Sequence, residues 1–403
     1  MNPNLDRLQT YPFEKLRDLY ATDTPPADLP EIKLHIGEPQ HPTPQFIKDA
    51  LTANLGGLAN YPATSGSDAL RQSIADWIAR RYGIPAPHVN EGATQVLPVT
   101  GSREALFAIA QAVIAPGHSK PVVISPNPFY QIYEGAALLA GARPFFLNTT
   151  PENGFRMDWA GVPTEIWRDC QLVYVCSPGN PTGKVMPLEE WRTLFELSDR
   201  HDFVIAADEC YSEIYFDETQ PPLGGLQAAR QLGRDDYKNL VMFSSLSKRS
   251  NVPGLRSGFV AGDAAILKKF WLYRTYQGCA MSPPIQAASA AAWRDEAHVA
   301  DNRRLYVEKF RQVTPLIARH LHTAQPDAGF YLWASVAATG LSDTEFAREL
   351  RRQYNVTVLP GSYLARDVGG INPGRDFIRI ALVAGVEECL EAARRIDAFC
   401  SSL

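Results

Sequence analysis

The segment Phe203-Val-Ile-Ala-Ala-Asp-Glu-Cys-Tyr211 decides the fold, because its apolar run ends on a carboxylate. Two further apolar runs also end on polar residues. Val173-Tyr-Val175 precedes Ser177-Pro-Gly-Asn-Pro-Thr-Gly183, and Leu240-Val-Met-Phe243 precedes Ser244-Ser-Leu-Ser-Lys248. Short apolar runs of this kind are typical of buried parallel strands, whose carboxyl ends meet at the edge where open α/β sheets bind ligands. The sequence therefore predicts an α/β fold with a functional site at that edge.

The chain of 403 residues is long enough for a large domain and a smaller one. Residues 45–284 alternate short apolar runs with helical stretches, which predicts a large domain around a mostly parallel sheet. Residues 285–403 are expected to form a smaller α+β domain, and the Pro-rich residues 1–44 an irregular arm that completes it. Isolated strands are predicted in the smaller domain, at Phe330–Trp333, Val356–Leu359 and Phe377–Ala381.

One helix is clear from its spacing. After Gly101-Ser102, apolar residues follow at the positions that share one helix face, namely Leu106, Ile109, Ala110 and Val113. Gly101, Ser102 and Arg103 at its start offer backbone N–H groups and a hydroxyl, which suit a phosphate. Ordinary capping by Ser102 explains the same residues. A strand is predicted next, at Val122–Ser125, closed by Pro126.

The composition is that of an ordinary soluble protein, with 45% hydrophobic and 21% charged residues. A formal charge of −5 offers no electrostatic attraction to nucleic acid or to an anionic membrane. The charged first fifteen residues and the lack of a long apolar run predict a cytoplasmic protein without signal peptide or membrane span. The six cysteines and eight histidines show no metal-binding spacing, so reduced thiols and no metal centre are expected.

Three residues are candidates for carrying chemistry. Lys248 follows an apolar run among small hydroxyl residues and precedes Arg256, and a lysine desolvated beside a cation has the lowered pKa that a nucleophilic amine requires. Asp208 ends its strand, where it either caps a helix, binds a metal or faces the ring nitrogen of a cofactor. Tyr211 lies one turn further if the chain becomes helical there. Each signal alone has an ordinary structural explanation.

Two more residues have the same double interpretation. Asn180 lies in Pro-Gly-Asn-Pro-Thr-Gly, a strong turn sequence, yet it follows a buried strand and its amide can donate to the same ligand as Tyr211. Arg379 is a charge inside the apolar strand Phe377–Ala381. A buried arginine needs an anionic partner, which is either an internal carboxylate or the carboxylate of a substrate.

In this order and spacing, the segments resemble the class I/II aminotransferases of the fold-type I pyridoxal-phosphate group over essentially the whole chain. Matching residues outside the central segments are Tyr11-Pro-Phe13, Ile36-Gly-Glu-Pro39, Tyr61, Gly101-Ser102 and Arg379. The resemblance implies pyridoxal 5′-phosphate as cofactor and a large domain with a mostly parallel, seven-stranded type of sheet between helices. It also implies a homodimer with shared active sites and a two-step exchange between an amino donor and a 2-oxo acid.

The same resemblance implies a role for each residue. Lys248 bonds to the cofactor and moves the proton, Asp208 binds the pyridine nitrogen, and Asn180 and Tyr211 bind the phenolic oxygen, while Tyr130 stacks on the ring. The phosphate contacts are expected from Gly101, Ser102, Arg103, Ser245 and Arg256, and from Tyr61 of a neighbouring subunit. The substrate α-carboxylate is expected at Gly37, Asn180 and Arg379.

A narrower resemblance connects the chain to the succinyldiaminopimelate aminotransferase subfamily. It rests on whole segments, namely Leu5–Leu16, Ser177–Met186, Leu359–Arg366 and Asn372–Arg379. It implies N-succinyl-2,6-diaminopimelate and 2-oxoglutarate as substrates, in the bacterial route to lysine. Both carry a carboxylate far from the reacting carbon, so a second cation is expected near the site. The candidates are Arg17, Arg274 and Lys15.

Three alternatives remain open at this point. One is a related aminotransferase for aspartate, aromatic amino acids, alanine or kynurenine, and a second is a lyase or synthase that shares the cofactor. A third is a regulator that kept the fold as a sensor. Such regulators carry a DNA-binding module of about a hundred residues before the fold, whereas the resemblance here begins near residue 11 and the net charge is negative.

Overall fold

The structure of the chain is a computed structural model, which describes residues 1–90, 94–115, 117 and 120–403. Among these residues, no helix combines the length and the apolar character needed to cross a bilayer.

The α-helices vary in length from about one turn to about six turns. They are α1 Pro12–Leu19, α2 Gln45–Ala53, α3 Asp68–Tyr82, α4 Ser102–Val113, α5 Ile132–Leu139, α6 Thr164–Asp169, α7 Leu188–His201, α8 Gly225–Gln231, α9 Leu246–Arg249, α10 Ala264–Gln277, α11 Pro283–Arg294, α12 Ala297–Ile317, α13 Asp343–Tyr354 and α14 Val386–Ser401. Short 3-10 turns lie at Pro3–Arg7, Leu55–Ala59, Pro151–Asn153, Pro253–Leu255, Ala337–Thr339 and Gly361–Leu364.

The strands fall into three sheets. They are β1 Ile32–Lys33, β2 Val96–Val99, β3 Val122–Asn127, β4 Arg143–Asn148, β5 Cys170–Cys176, β6 Val204–Asp208, β7 Leu240–Ser245, β8 Gly258–Gly262, β9 Tyr331–Ser335, β10 Val356–Thr357, β11 Leu359–Pro360 and β12 Phe377–Ala381.

The main sheet has seven strands in the order β2-β8-β7-β6-β5-β3-β4. Strand β8 runs antiparallel to both of its neighbours, and the other adjacent pairs are parallel. The three strands predicted from the decisive segments, β5, β6 and β7, are neighbours in the sheet. Cys176 pairs with Asp208 and Asp208 with Phe243, so the three strands end at one level. The predicted mostly parallel α/β fold is confirmed.

Helices cover both faces of this sheet. One face packs against α2, α3, α7, α8 and α11, with Trp77, Trp191 and Trp293 fully buried between them. The other face packs against α4, α5 and α10. Each large apolar side chain that is buried in such a layer contributes about 1.5–3 kcal/mol. The sheet edge that bears the polar residues is therefore held between two apolar layers.

The C-terminal part contains the antiparallel sheet β11-β12-β9 and the long helices α12, α13 and α14. The predicted strand Phe377–Ala381 is confirmed, and Tyr331–Ser335 replaces the predicted Phe330–Trp333 with a short shift. The prediction of one strand over Val356–Leu359 was wrong. Val356–Thr357 pairs with β1, whereas Leu359–Pro360 pairs with β12, because the chain passes from one sheet to the other at this point.

The N-terminal segment packs against the C-terminal part. Strand β1 pairs in parallel with β10, and Leu16 of helix α1 packs against Trp333 and Leu359. The Pro-rich sequence did not predict helix α1, which begins at Pro12, where the missing N–H costs no helical hydrogen bond. The predicted domain boundary after residue 284 stays a prediction. Helix α11 packs with α2 and α3 in the core of the large sheet, which favours a boundary after that helix.

The helix predicted after Gly101-Ser102 is α4, and its face with Leu106, Ile109 and Ala110 is buried, as its spacing predicts. The strand expected at Val122–Ser125 continues to Asn127. The last residue of β3 that pairs with β5 is Ile124. Pro126 lies beyond it, so its missing N–H leaves no hydrogen bond to β5 unmade.

Candidate active site

A cavity of about 560 Å³ opens at the carboxyl ends of β5, β6 and β7. Most of the residues that the sequence singled out line it. They are Gly37, Ser102, Arg103, Tyr130, Asn180, Asp208, Tyr211, Ser245, Lys248, Arg256 and Arg379. The structure thus gathers side chains from the N-terminal segment, the main sheet and β12 around one space.

Two predicted cofactor residues lie elsewhere. Tyr61 is fully exposed and does not line the cavity of its own chain. Gly101 lies directly behind Arg256, and a side chain on it would collide, since an added Cβ would stand 2.2 Å from Arg256 Nη2. With its φ of +90°, this position requires glycine.

Lys248 lies in the short helix α9 that follows β7, and its Nζ donates a hydrogen bond of 2.6 Å to the carbonyl oxygen of Gly37. Burial is the main cause that lowers the pKa of the Lys248 amine to about 8; Cys210 and Glu38 act against it, and the guanidinium groups of Arg379 and Arg103 act with it. An amine with this pKa is neutral in a useful fraction near pH 7, which nucleophilic attack on an aldehyde carbon requires.

Asp208 ends β6 and is only 4% exposed. The Tyr133 hydroxyl donates a hydrogen bond of 2.7 Å to Asp208 Oδ2, and the Cys210 N–H donates one of 3.3 Å to Oδ1. Burial raises the pKa of the Asp208 carboxyl, and these donors act against the rise. A buried carboxylate that accepts two hydrogen bonds favours a cationic N–H opposite it.

Tyr211 does not continue into a helix as the sequence suggested. The chain makes hydrogen-bonded turns from Glu209 to Ile214 instead, and these bring the Tyr211 hydroxyl to 3.1 Å from that of Tyr331. Burial raises the pKa of Tyr211 well above that of an ordinary phenol, so its hydroxyl stays protonated and can donate. Gly37 packs directly against the hydroxyl group of the same Tyr331. A larger residue at position 37 would collide with it, since an added Cβ would lie 1.8 Å from the hydroxyl oxygen.

Arg379 of β12 is buried, at 3% exposure, and reaches the cavity floor. Its Nη1 donates to Asn180 Oδ1 at 3.0 Å, and its Nη2 donates to the carbonyl oxygen of His35 at 2.8 Å. Among the described residues, its Nε is buried without a hydrogen-bond partner. A buried guanidinium whose partners are neutral oxygens keeps further N–H groups on Nη1 and Nη2, which fits a carboxylate ligand. Because the Asn180 Oδ1 accepts this hydrogen bond from Arg379, the N–H₂ group of the same amide can donate to a ligand.

Hydroxyl groups surround the start of α4. Ser102 Oγ accepts from the Cys210 thiol at 3.0 Å, and Ser245 Oγ lies 2.9 Å from Ser247 Oγ. Gly258 lets the two sides approach, since an added Cβ would meet Ser102 N at 3.3 Å and Ser245 Cα at 3.5 Å. Together with Arg256 Nη2 in front of Gly101, these groups form a cradle for a dianion at a helix N-terminus.

Sequence reasoning missed three residues that the structure places in or behind the cavity: Tyr133, Ser247 and Tyr331. A tyrosine inside a buried strand or helix needs a partner for its hydroxyl, which is a signal that Tyr331 and Tyr133 both offered. Their partners Tyr211 and Asp208 are distant in sequence, so the pairing itself was not readable. Ser247 stands in the quoted segment Ser244–Lys248 and lines the cavity beside Ser245.

The three cations proposed for a distal carboxylate lie outside the cavity. Arg274 is 1% exposed and forms an ion pair with Glu104. Arg17 is 74% exposed, and its nearest carboxylate is Asp18 at 3.6 Å. Lys15 lies 5.8 Å over the ring of Tyr363.

All six cysteines are free thiols. Within the described ranges, no group of three or more His, Cys, Asp and Glu side chains could hold a metal ion.

The donor set fits pyridoxal phosphate. The amine of Lys248 suits its aldehyde, the buried Asp208 suits its pyridine nitrogen, the neutral hydroxyl of Tyr211 suits its phenolic oxygen, and the cradle around Ser102 and Arg256 suits its phosphate. The bound cofactor supplies an electron sink for the charge that develops when a substrate Cα–H bond breaks.

Comparisons with known proteins agree with this site. Residues 30–396 match the family model of aminotransferase class I and II. An LL-diaminopimelate aminotransferase of Moorella thermoacetica is 31% identical over 372 residues, which cover 91% of this chain and 90% of the relative.

Two solved structures show the same fold. An aminotransferase from Neisseria meningitidis is 52% identical, with a TM-score of 0.94 over 99% of this chain and 100% of that one. A probable N-succinyldiaminopimelate aminotransferase from Thermus thermophilus is 25% identical, with a TM-score of 0.81 over 96% of this chain and 98% of that one. The protein therefore belongs to the class I and II aminotransferases, and its cofactor is pyridoxal phosphate.

Proposed function

We propose that this aminotransferase exchanges an amino group between N-succinyl-2,6-diaminopimelate and 2-oxoglutarate, in the diaminopimelate route to lysine. The observation that carries an amino-acid substrate is the buried Arg379 beside Lys248, whose hydrogen-bond partners in the described chain are neutral oxygens and not acidic side chains. A substrate whose α-carboxylate binds there presents its Cα to the Lys248 amine.

The residues of the chain then have the following tasks. Arg379 and the amide of Asn180 orient the substrate by its α-carboxylate, which converts an encounter into a fixed geometry. Lys248 takes the proton from the substrate Cα and holds it on Nζ for its later return, a general acid–base role suited to its lowered pKa. Asp208 keeps the pyridine nitrogen protonated, and Tyr133 holds that carboxylate in place.

The choice of donor rests on the relatives and on the charge of the cavity. The relatives include LL-diaminopimelate aminotransferases at about the 30% level and a solved structure described as a probable N-succinyldiaminopimelate aminotransferase. The cavity is lined by more cationic than acidic side chains, which suits an acceptor and a donor that each carry extra carboxylates. Acylation of the distal amino group removes a positive charge from the donor and adds a carboxylate, which increases this match.

Free LL-diaminopimelate is the second candidate donor. The carboxylate of Glu38 lines the same cavity and is exposed, so it offers a partner for the distal ammonium group that succinylation removes. The names of the relatives favour this donor as well. The two donors therefore differ in which charged side chain of the cavity they engage.

A donor panel tests the proposal. The purified holoenzyme is offered N-succinyl-LL-diaminopimelate, LL-diaminopimelate, aspartate, alanine, phenylalanine and kynurenine, each with 2-oxoglutarate, and glutamate formation is measured. We expect the highest kcat/KM for the succinylated donor. A higher value for LL-diaminopimelate would replace the donor, and a higher value for one of the other amino acids would end the diaminopimelate assignment.

We also propose that Tyr61 serves the active site of a second copy of this chain, at its phosphate. Full exposure of a tyrosine on the isolated chain supports this. Tyr61→Ala and Lys248→Ala proteins are expected to be weakly active and inactive by themselves. When unfolded together and refolded as a mixture, they should regain activity, because one site of a mixed dimer has both residues intact. No gain on mixing would contradict shared sites.

A further inference from the structure

We propose that the hydroxyl group of Tyr331 positions the proton of Tyr211 for the phenolic oxygen of the cofactor, and that its ring connects this hydroxyl pair to Arg379. Tyr331 is thus a positioning residue, which acts through Tyr211. The inference deepens the proposed function, because it rests on the role of Tyr211 toward the cofactor and is independent of the choice of amino donor.

Tyr331 is a buried tyrosine at the cavity surface. It begins β9, is 4% exposed and lines the cavity, where Gly37 packs directly against its hydroxyl group. Its Oη lies 3.1 Å from the Oη of Tyr211. A buried tyrosine hydroxyl needs a hydrogen-bond partner, and among the described residues that partner is Tyr211.

The number of protons decides the direction of this hydrogen bond when the cofactor is bound. Each tyrosine hydroxyl carries one proton and can accept as well as donate. Burial raises the pKa of Tyr211 well above that of an ordinary phenol, so its hydroxyl keeps the proton. If Tyr211 donates this proton to the phenolic oxygen, its bond with Tyr331 requires Tyr331 as the donor. The Tyr331 hydroxyl therefore holds Tyr211 in the orientation that donates to the cofactor.

The ring of Tyr331 faces Arg379. The guanidinium carbon of Arg379 lies 4.3 Å from the centroid of this ring, which is a cation–π contact. A positive charge so close stabilises the negative charge that a donating phenol oxygen gains, so Tyr331 becomes a stronger donor. Hydrogen bonds in a row polarise one another, and the effect extends to Tyr211. The arginine proposed for the substrate α-carboxylate thus also strengthens the hydrogen bond to the cofactor.

The other charged and titratable groups around the hydroxyl pair leave Arg379 as the acting charge. In the described chain they are Cys176, Tyr306 and the Lys248 amine, which lies on the other side of Gly37. Burial raises the pKa of the Cys176 thiol and of the Tyr306 hydroxyl, so both groups stay neutral. The Lys248 amine is expected to bond to the cofactor in the holoenzyme.

Tyr306 provides a matched control. It lies in the same buried aromatic cluster as Tyr331, with its ring centroid 5.7 Å from that of Phe330. Its hydroxyl is buried without a hydrogen-bond partner in the described chain, and its side chain does not line the cavity. Tyr306→Phe and Tyr331→Phe each remove one buried hydroxyl and keep the ring, so their difference separates the role of the Tyr331 hydroxyl from packing.

The absorbance of the bound cofactor tests the proposal. The visible band of the holoenzyme is titrated with acid and base, without substrate, for the normal protein, Tyr331→Phe and Tyr306→Phe. A donor at the phenolic oxygen favours the deprotonated form of the bound cofactor. We therefore expect the apparent pKa of the cofactor to rise by about one pH unit in Tyr331→Phe and to stay unchanged in Tyr306→Phe. An unchanged value in Tyr331→Phe would overturn the proposal.

Steady-state kinetics separate positioning from substrate binding. Tyr331→Phe should lower kcat about tenfold and change KM for 2-oxoglutarate by less than about threefold, because the ring and its contact with Arg379 remain. A rise in KM with normal kcat and normal cofactor absorbance would mean that the hydroxyl binds the substrate carboxylate directly. That result would also overturn the proposal.

A double substitution shows whether Tyr331 acts through Tyr211. Tyr211→Phe should raise the apparent pKa of the cofactor more than Tyr331→Phe does. In the double variant, Tyr331→Phe should add nothing further, because the hydroxyl that it positions is already absent. Additive shifts would contradict an action through Tyr211.

The same titrations keep this proposal apart from the function on which it rests. If Tyr211→Phe leaves the cofactor pKa unchanged, the role of Tyr211 in the proposed function fails, and the positioning role of Tyr331 fails with it. If Tyr211→Phe shifts the pKa and Tyr331→Phe does not, the proposed function stands and only the role of Tyr331 is refuted.

Discussion

The cavity has two walls that are built in different ways. The cofactor wall consists of the ends of β5, β6 and β7 and the start of α4, where the strand register fixes Asp208 beside its neighbours. The substrate wall is assembled over long sequence distances, with Lys248 bonded to Gly37 across 211 residues and Arg379 bonded to His35 across 344. The sheet edge thus provides a fixed chemical centre, and the second wall brings different segments to it.

Specificity can change in the substrate wall without loss of the chemistry that all substrates share. A substitution in the cofactor wall disturbs groups that every substrate needs. A substitution in the substrate wall, at Arg379 or Glu38, changes which molecule is positioned without altering the buried carboxylate of Asp208. We therefore expect losses of chemistry from the first wall and losses of binding from the second.

The largest effect is expected at the point where the walls meet. Lys248→Ala should lower kcat by about four orders of magnitude, because both the covalent attachment and the proton transfer depend on this amine. Steady-state transamination of the best donor measures it. Lys238→Ala is the control, since Lys238 is 53% exposed and lies 3.6 Å from Asp199 at the surface. A Lys248→Ala protein with a tenth of normal activity would contradict the assignment.

Asp208→Asn tests the cofactor wall by itself. The neutral amide cannot hold the pyridine nitrogen in its protonated form, so kcat should fall about a thousandfold with every donor. Single-turnover rates of the loaded enzyme with each donor are the measurement. A loss limited to one donor would show that Asp208 selects the substrate, which contradicts its place in the wall that every substrate needs.

Arg379→Gln tests the substrate wall in the same way. Loss of the buried guanidinium should reduce kcat/KM about 100-fold for α-amino acids, mostly through KM. The affinity for pyridoxal phosphate should stay within about threefold of the normal value, because the hydrogen bonds of Arg379 in the described chain go to Asn180 and His35 and to no group around the start of α4. Cofactor titration and initial rates measure the affinity for pyridoxal phosphate and kcat/KM separately. An equal loss of both would show that Arg379 belongs to the cofactor wall as well.

Tyr133→Phe is a smaller perturbation of the cofactor wall. It removes the donor at 2.7 Å from Asp208 Oδ2. Because this hydrogen bond opposes the effect of burial, its loss raises the pKa of Asp208 further. We expect about a tenfold fall in kcat with an acid limb that moves to higher pH. A pH–rate profile with an unchanged acid limb would remove Tyr133 from the site.

The smallest effect is a pH dependence that tests Lys248 directly. Since burial lowers the pKa of its amine to about 8, half of the amine is in the reactive neutral form at pH 8, and this fraction falls as the pH falls further. Covalent uptake of pyridoxal phosphate by the apoprotein should thus slow about tenfold for each pH unit below 8. Stopped-flow absorbance gives the profile, and a midpoint near the ordinary lysine value of 10.5 would contradict the burial of this amine.

The sequence predicted the cofactor wall well because its residues stand directly after apolar runs. Strand ends of a parallel sheet meet at one edge, so Asp208, Asn180 and Lys248 could be placed together without coordinates. Arg379 was found because a charge interrupts an apolar strand. The helix α1, the division of Val356–Leu359 between two sheets and the contacts of Tyr133 and Tyr331 depend on tertiary pairing, which no local pattern contains.

The candidates for the distal cation show the same limit. Arg274 has the charge and the sequence context that a binding residue needs, yet its side chain is buried against Glu104. Arg103 was expected at the phosphate from its position at a helix start, and the structure adds that its Nε donates to the Tyr130 hydroxyl, a contact that the sequence did not predict. Charge can be read from sequence, whereas the availability of that charge depends on packing.

The whole site depends on Lys248 as the residue that carries the cofactor. Reduction of the loaded enzyme with borohydride, followed by peptide mass spectrometry, tests this role most directly. We expect one pyridoxyl group per chain, on the peptide that contains Lys248, and none in the Lys248→Ala protein. A pyridoxyl group on another lysine of the native enzyme, with Lys248 unmodified, would show that Lys248 does not hold the cofactor.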